Sequence, residues 1–230
     1  MNDVFPEPIA QVLQEGGRVD DDRTYNAMVF ACSITGLDEI LAKMSPFQVS
    51  RMKERLHNNL LGPAKKHGVF LLETDGNVFM AASNIVEEKP DYDHGMRMVH
   101  FAMDACQQTR PRLTTPSKEV IKAGLHFGSV RTGVVGNRNP TIYVFGEDVH
   151  VATSMAKHSK LGMINCSREA AEEIERQDNG VMLVKLREDK VFLRCRGNIE
   201  TFWFLARIQW SSVRSNAFGP INDSRCSVAA

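Results

Sequence analysis

The feature that most restricts how this chain can fold is a short, unbroken apolar segment at residues 27–34 (AMVFACSI). A run of this length, with aromatic and β-branched members, is typical of a strand that is buried on both faces. Such a strand belongs in the middle of a sheet. The segment therefore predicts a globular domain built around a sheet, and the 43% hydrophobic content of the 230 residues is sufficient to bury a core.

Helical patterns follow this strand. A brief helical segment is predicted at residues 38–42, and Ser45 begins a longer one whose apolar residues recur at helical spacing until Gly68. Another apolar stripe, at residues 94–109, predicts a further helix. Two later helices are predicted at about residues 148–159 and at residues 167–176.

Strand-like segments occur between and after these helices. Two runs within residues 69–82 flank Asp75 and Gly76, which favour a tight hairpin turn because this dipeptide readily adopts positive φ angles. Two runs within residues 120–135 predict a second hairpin, and residues 141–145 predict another strand. The order is then strand, helix, helix, strand, strand, helix, strand. It predicts an α+β, ferredoxin-like βααββαβ fold, an antiparallel sheet covered on one face by helices.

The domain organisation follows from composition along the chain. It predicts a polar lead-in segment at residues 1–23, one domain at residues 24–210 and a flexible C-terminal tail at residues 211–230. There are 28 basic and 28 acidic residues, so no net positive charge favours binding to nucleic acid. The apolar runs are shorter than the roughly 20 residues that a membrane helix needs.

Cysteine usage indicates the compartment. The five cysteines are an odd number without a CxxC pair, which argues against a disulfide framework or a structural zinc site. We therefore predict a cytoplasmic chain, either alone or as the cytoplasmic part of a larger, membrane-attached protein. The motifs GxGxxG, GxxxxGK[ST], HExxH and GxSxG do not occur, so common dinucleotide, P-loop, zinc-protease and hydrolase functions have no support.

Four segments resemble the motifs of one known protein family. Residues 72–80 (LETDGNVFM) resemble the family's VETIGDAYM, and residues 132–136 (TGVVG) match its AGVVG. Residues 143–149 (YVFGEDV) are similar to CLFGDTV, and residues 200–204 (ETFWF) resemble the ETYWL strand. On these motifs the chain resembles the class III nucleotidyl cyclases, in the guanylyl cyclase branch. The resemblance runs in consistent order over residues 5–208 and implies the cyclase fold.

The resemblance also implies a reaction. Such cyclases work as head-to-tail dimers, in which both subunits build each site, and two metal ions help to convert a nucleoside triphosphate into a 3′,5′-cyclic nucleotide and pyrophosphate. Two aspartates hold the ions, because Mg²⁺ prefers anionic oxygen ligands. Here Ser33 and Asn77 stand at the matched positions. Both are neutral, so no metal cofactor is expected, and Mg²⁺ or Mn²⁺ would matter only for residual activity.

The second half of the family site is altered as well. The asparagine that positions the ribose is His150 here, and the arginine that stabilises phosphate charge is Ser154. Any dimer containing this chain would therefore miss one half of each shared site, and one lost donor of this kind costs a factor of about 10²–10³ in rate. Asp38, where the family has a threonine at a phosphate-receiving helix start, would repel the triphosphate.

Other matched positions keep useful chemistry. Glu73 corresponds to the glutamate that reads the guanine edge, although an ordinary polar role in a hairpin is equally open. Tyr143 replaces the second base-reading residue and would partly fill the purine slot or stack on a base. Arg194 and Arg196 fall near the family's KGKG lysines, where they would meet phosphate or remain solvated surface residues.

The function implied by the resemblance is that of a pseudo-cyclase in cyclic GMP signalling. It would form a head-to-tail dimer with itself or with a competent cyclase subunit, which it regulates or scaffolds. One alternative is a diverged, active guanylyl cyclase that converts GTP to cyclic GMP and pyrophosphate, with Asp75, Glu147 or Asp148 replacing the lost carboxylates. Another is a module that senses GTP through Glu73 without converting it.

Overall fold

The computed structural model describes residues 24–34, 42–72, 78–85, 93–109, 121–135, 141–178, 182–194 and 196–206. The strands in these ranges are β1 (Thr24–Ile34), β2 (Phe70–Leu72), β3 (Val78–Ser83), β4 (Ile121–Val135), β5 (Thr141–Phe145), β6 (Ile164–Cys166), β7 (Met182–Leu186), β8 (Val191–Leu193), β9 (Gly197–Ile199) and β10 (Phe202–Ala206). The helices are α1 (Pro46–His67), α2 (His94–Gln108), α3 (Glu147–Lys157) and α4 (Arg168–Gln177).

Eight strands form one sheet. Seven follow the order β2-β3-β1-β4-β6-β10-β7, and β5 pairs with the C-terminal part of β4. The pairs are antiparallel except β4 with β6, which is parallel. Strands β8 and β9 form a separate two-stranded sheet, the β8–β9 hairpin. The predicted α+β class and the central place of β1, between β3 and β4, are both confirmed.

The alternation of side chains along β1 divides the core into two layers. The even-numbered residues 28–34 belong to the larger apolar cluster, which they share with side chains of α1, α2 and α4. The odd-numbered residues 27–31 belong to a second cluster, together with Ala152 and Ala156 of α3. Successive strand residues point to opposite faces, so helices cover both sides of the sheet. The expectation that they cover only one face is wrong, because α3 occupies the other.

Strand β4 is continuous, whereas the sequence predicted a hairpin within it. Gly128 pairs with Ala27 in an unbroken antiparallel register with β1. The glycine has a packing role instead of a turn role, because a Cβ atom there would collide with the Asp148 carboxylate of α3. A Cβ atom at Gly124 would collide with the backbone of α3 in the same way. These two glycines let α3 lie directly on β4.

Local signals set the ends of α1 as predicted. Ser45 is the N-cap and forms a capping box with Gln48, whose backbone N–H donates to the Ser45 hydroxyl and whose side chain accepts from the Ser45 N–H. At the other end Gly68 has a φ of +62°, in the left-handed region, and its N–H donates to the Ala64 carbonyl. Caps of this kind pair backbone groups that the helix itself leaves without partners.

Several predicted segments lie outside the described residues. These are the lead-in at residues 1–23, residues 38–41 of the brief helix, the hairpin turn at residues 73–77, and the chain beyond residue 206. The proposed domain boundaries therefore remain predictions. Among the helices that the structure does describe, none combines the length and the apolar character needed to cross a membrane.

Candidate functional site

Ser33, matched to one metal aspartate, lies near the end of β1. Its partners across the two ladders are Val78 of β3 and Lys122 of β4. The residue is half-buried, and alternation places its side chain on the same face as Ala31, towards α3. Asn77, the other matched position, is outside the described residues but directly precedes Val78 in the sequence. The register thus brings Ser33 beside the strand that follows Asn77.

Helix α3 carries the two positions matched to the ribose and phosphate groups. It begins after Gly146, whose φ of +140° is a conformation that favours glycine. His150 is exposed and Ser154 is half-buried, whereas Val151 and Met155 are buried. Residues four apart lie on the same side of a helix. His150 and Ser154 therefore lie on the same side of α3.

Beneath the first turn of α3, a chain of hydrogen bonds passes through the fully buried side chain of His126 in β4. The Ser167 hydroxyl lies 2.7 Å from His126 Nδ1, and His126 Nε2 lies 3.0 Å from Asp148 Oδ1. The backbone N–H of Ser129 donates to the other Asp148 oxygen over 2.7 Å. Together these contacts connect the start of α4 to the start of α3 through the sheet.

The partners of His126 determine its protonation. An ionised Asp148 only accepts hydrogen bonds, so Nε2 carries the ring hydrogen and Nδ1 accepts from the Ser167 hydroxyl. Burial lowers the pKa of His126 below its ordinary value of 6.5, against the opposing effect of the Asp148 hydrogen bond. The neutral ring satisfies every hydrogen bond, so His126 is neutral at neutral pH.

A serine, a histidine and an aspartate in one hydrogen-bonded chain resemble a hydrolase triad, but the burial of the serine argues against that chemistry. Ser167 is completely buried, and its Oγ accepts the backbone N–H of Ala170 as the N-cap of α4. A nucleophile must be open to its substrate. These hydrogen bonds therefore hold β4 and the starts of α3 and α4 together. Ser167, at one end of the series, also caps α4.

The turn of the β8–β9 hairpin adds a cation to the network. Arg196 Nη2 lies 2.6 Å from Asp148 Oδ1, and Nη1 lies 3.0 Å from Glu169 Oε1. Its Nε lies 3.7 Å from Glu147 Oε1. Carboxylates of α3 and α4 thus compensate the charge of Arg196 within the chain. Arg194, the other predicted phosphate contact, belongs to the same turn and is exposed.

Tyr143, the predicted base-binding residue of β5, lies opposite Gly133 of β4. Its neighbours Ile142 and Val144 pack into the apolar cluster beneath α3, so alternation places Tyr143 on the opposite face of the sheet. Its half-buried ring stacks on Phe145, with the centroids 6.1 Å apart. Glu73 lies outside the described residues, and the base-binding role of both positions stays a prediction.

The side chains at the metal position do not fit a two-metal centre. Ser33 offers only a neutral hydroxyl oxygen, whereas divalent cations of this kind are held by carboxylates. Within the part of the chain that the structure describes, no group of three or more histidine, cysteine, aspartate or glutamate side chains is placed to hold a metal ion. We therefore assign no catalytic step to a metal in the described residues.

Sequence reasoning missed three members of the network around Asp148: the buried His126 and Ser167, and the exposed Glu169. One signal was available for His126, which interrupts the apolar character of residues 121–127 (IKAGLHF). A histidine inside a central strand needs a hydrogen-bond partner, because an unpaired buried polar group is costly. No local pattern identifies that partner, since Asp148 is 22 residues further along the chain.

Comparison with known proteins gives a consistent family. Residues 19–206 match the family model of the adenylate and guanylate cyclase catalytic domain. The chain is 26% identical over 225 residues to the receptor-type guanylate cyclase gcy-5 of Caenorhabditis elegans, a match that covers 96% of this chain and 20% of that protein. The chain spans between 18% and 24% of the length of this and two further curated relatives.

Solved structures support the same assignment. The guanylate cyclase domain of RhGC from Catenaria anguillulae, solved in complex with GTP, is 27% identical with a TM-score of 0.69, over 80% of this chain and 99% of that one. The non-canonical dimeric guanylyl cyclase domain of RhoGC from Blastocladiella emersonii is 25% identical with a TM-score of 0.67, over 80% and 98%. Motifs, fold and family model agree, and this chain belongs to the adenylate and guanylate cyclase catalytic domain family, as a guanylyl-cyclase-like, class III domain of cyclic nucleotide signalling.

Proposed function

We propose that this domain is a pseudo-cyclase, which dimerises and regulates or scaffolds a partner cyclase. One observation carries the proposal: the described positions that match the family's catalytic groups hold Ser33, His150 and Ser154. None of these side chains supplies the aspartate, asparagine or arginine that the reaction uses. The substitutions affect both halves of a shared site. In a dimer of this chain with itself, each site lacks both halves. In a dimer with a competent cyclase, each site lacks the half that this chain contributes.

The retained fold supports a partner-binding role. The sheet order, the helices on both faces and the apolar clusters are complete in the described ranges, although the matched catalytic side chains have changed. A related guanylyl cyclase domain was solved as a dimer. A domain that keeps its scaffold and loses its chemistry can still occupy the place of a subunit, and can thereby alter the activity of the subunit beside it.

Asp148 gives little support to the alternative that the chain is a diverged, active guanylyl cyclase. Its Oδ1 atom accepts from His126 and Arg196, and its Oδ2 atom accepts from the Ser129 backbone. A metal ion at this carboxylate would have to displace the arginine or break one of the other hydrogen bonds. Glu147 is more exposed, with 60% of its side chain accessible, but it faces the same arginine. Neither carboxylate stands ready as a metal ligand.

An activity assay tests the proposal directly. The purified chain is incubated with Mn²⁺ and either GTP or ATP, and cyclic GMP and cyclic AMP are measured. We expect no product above the blank with either triphosphate, because each lost donor reduces the rate by a factor of about 10²–10³. Turnover well above the blank would overturn the proposal and support the diverged enzyme.

Matched restoring variants sharpen this assay. Ser33→Asp/Asn77→Asp restores only the metal half, and His150→Asn/Ser154→Arg restores only the ribose and phosphate half. Each variant alone should remain inactive, whereas a mixture should form product, because a head-to-tail pair unites one restored half from each chain. Product from either variant alone would contradict the two-subunit arrangement on which the proposal depends.

Two further measurements separate the remaining functions. Co-expression with an active guanylyl cyclase domain should yield a complex whose specific activity differs from that of the partner alone. If no cyclase domain forms a complex, only a role as a homodimer remains. Calorimetry with a non-hydrolysable GTP analogue tests the sensor, and binding without metal that Glu73→Ala weakens would favour that function instead.

A further inference from the structure

Opposite charges collect on two of the three helices that cover one face of the sheet. Five of the 22 residues of α1 are lysine or arginine, and Glu54 is its only acidic residue. Helix α4 has the reverse balance, with four glutamates and two arginines among ten residues. The whole chain has as many basic as acidic residues, so its zero net charge conceals a separation of charge between these helices.

The fold places the two helices towards opposite ends of the sheet. Helix α2 contacts both α1 and α4 and lies between them. Helix α1 lies against β2, whereas α4 lies against β4, β7 and β10. Strands β2 and β7 are the two ends of the seven-strand order. The domain therefore has a basic edge at α1 and a more acidic edge at α4, and a surface of one charge would orient it.

The outward side of α1 combines cations with an exposed aromatic ring. Phe47, Arg51 and Arg55 are exposed and follow one another at four-residue spacing, so they lie on one side of the helix. The Phe47 ring is 69% exposed, and the guanidinium carbon of Arg51 lies 5.5 Å from its centroid. Lys65 and Lys66 are exposed in the last turn and extend the basic surface to the other end of the helix.

An exposed phenylalanine beside cations suits a bilayer with anionic headgroups. The ring can enter the boundary between headgroups and acyl chains, while the guanidinium groups stay at the level of the phosphates. Nucleic acid also attracts cations, but proteins that bind single strands stack successive bases on several aromatic rings. Phe47 is the only Phe, Tyr or Trp of α1. The combination of one exposed ring with several cations therefore favours a lipid surface.

We propose that the outward side of α1, with Phe47 at its N-terminal end, binds the surface of a membrane that contains anionic lipids. The helix lies along the bilayer surface, Phe47 enters the headgroup boundary, and Arg51 and Arg55 contact the phosphates. The edge at α4 faces away, because the negative surface repels its glutamates. The contact uses none of the matched catalytic positions, so it does not depend on the pseudo-cyclase proposal.

Sedimentation with vesicles tests the membrane contact. The purified chain is mixed with vesicles of phosphatidylcholine alone, or of equal parts of phosphatidylcholine and phosphatidylserine, and the bound fraction is measured. We expect binding only to the anionic vesicles. It should weaken as NaCl is raised from about 0.1 M to about 1 M, because the Debye length falls from about 10 Å to about 3 Å. Equal binding to both vesicles, or none to the anionic ones, would overturn the proposal.

Substitutions locate the contact on the molecule. Arg51→Gln/Arg55→Gln should weaken binding to anionic vesicles by about 25-fold, because each cation at the surface contributes about fivefold. Phe47→Ala should weaken it by about tenfold, because the ring no longer leaves water. The matched control, Lys185→Gln/Lys190→Gln, removes the same charge from exposed positions in and after β7 and should bind like the parent chain. An equal loss in the control would mean that net charge governs binding, and would contradict the proposal.

A duplex DNA oligonucleotide separates a lipid partner from a nucleic-acid partner. At the same salt concentration we expect the chain to bind the duplex more weakly than the anionic vesicles. Duplex binding that equals vesicle binding, and that falls in Arg51→Gln/Arg55→Gln but not in Phe47→Ala, would identify nucleic acid as the partner and overturn the proposal. None of these measurements involves turnover or a partner cyclase, so an active parent enzyme would refute the pseudo-cyclase proposal and leave the membrane contact standing.

Discussion

The two faces of the central sheet are covered in different ways. On one face, α1, α2 and α4 pack over apolar side chains, and the rings of Phe30 and Phe101 meet edge to face with their centroids 5.1 Å apart. On the other face, α3 packs apolar residues over the sheet, but its first turn carries the half-buried Asp148, whose carboxylate accepts a hydrogen bond from the buried His126 ring. The first face is filled mainly by hydrocarbon, with one buried polar contact between His94 of α2 and Glu173 of α4. The second face places its polar contacts directly between the sheet and the start of α3.

This difference has consequences for stability. Buried apolar surface stabilises a fold by roughly 25 cal/mol per Å² without needing a specific partner. Buried polar groups stabilise it only when they are paired, since an unpaired group costs about 1–3 kcal/mol. The α3 face therefore depends on a complete set of hydrogen bonds. It is also the face whose helix carries His150 and Ser154, so the positions of these two residues depend on that set of hydrogen bonds.

The largest expected effect belongs to the apolar face. Phe101→Ala removes a fully buried ring from α2 and should lower the free energy of unfolding by about 3–5 kcal/mol. Urea denaturation measures this loss. Phe47→Ala is the control, because that ring is 69% exposed and its removal should cost far less. A loss below about 1 kcal/mol in Phe101→Ala would mean that this face relaxes around the cavity, and would weaken the contrast between the faces.

The polar face should respond to the loss of one partner. Asp148→Ala leaves the His126 ring and the Ser129 N–H without their acceptor and should lower the free energy of unfolding by about 2–3 kcal/mol. The matched control is Glu172→Ala on the exposed side of α4, which should change stability by no more than about 0.5 kcal/mol. Equal losses in the two variants would show that the hydrogen bonds of Asp148 contribute no more to the free energy of unfolding than an exposed carboxylate does.

The pH dependence of stability should identify His126. Because burial lowers its pKa in the folded state below 6.5, the unfolded chain binds this proton more readily. The contribution of the neutral ring is fully present above pH 6.5 and is lost as the pH falls below it, by at most about 1.4 kcal/mol per pH unit. Urea midpoints at about pH 7.5 and pH 5.5 in the parent chain and in His126→Gln measure it.

Several polar and charged groups face His126 in both the parent chain and His126→Gln. They are Ser167, Asp148, Glu169 and, through Asp148, Arg196. The same groups are present in both proteins, so the difference in slope between them belongs to the imidazole. A parent chain whose midpoint falls no more steeply than that of His126→Gln would contradict the assignment of a neutral, buried ring.

The smallest effect is expected at the rim of the polar face. Glu147→Gln removes a carboxylate that is 60% exposed and 3.7 Å from Arg196, and should change stability by less than about 0.5 kcal/mol. The neighbouring Asp148, only 14% exposed, is expected to matter several times more. Urea denaturation of the two variants under one set of conditions tests the ranking. A larger loss in Glu147→Gln would place the critical charge at the surface.

Local sequence was a good guide where a single signal decided the structure. Ser45 and Gly68 set the ends of α1 as predicted, because helix caps involve residues only a few positions apart. The same reasoning failed at Gly128, which favoured a turn but lies in the middle of β4. A glycine is needed at this position because the Asp148 carboxylate packs against it, and these two residues are far apart in the chain. The expectation that helices cover only one face of the sheet failed for the same kind of reason.

The sequence by itself determined the buried central strand, the helix ends and the match to the cyclase family, including the replacements at Ser33, His150 and Ser154. Each of these depends on residue identity and on order along the chain. Only the tertiary structure decided that His126, from the sheet, and Arg196, from a hairpin, meet at one carboxylate. Their energies depend on distance and burial, and these acquire values only when the separate segments have packed together.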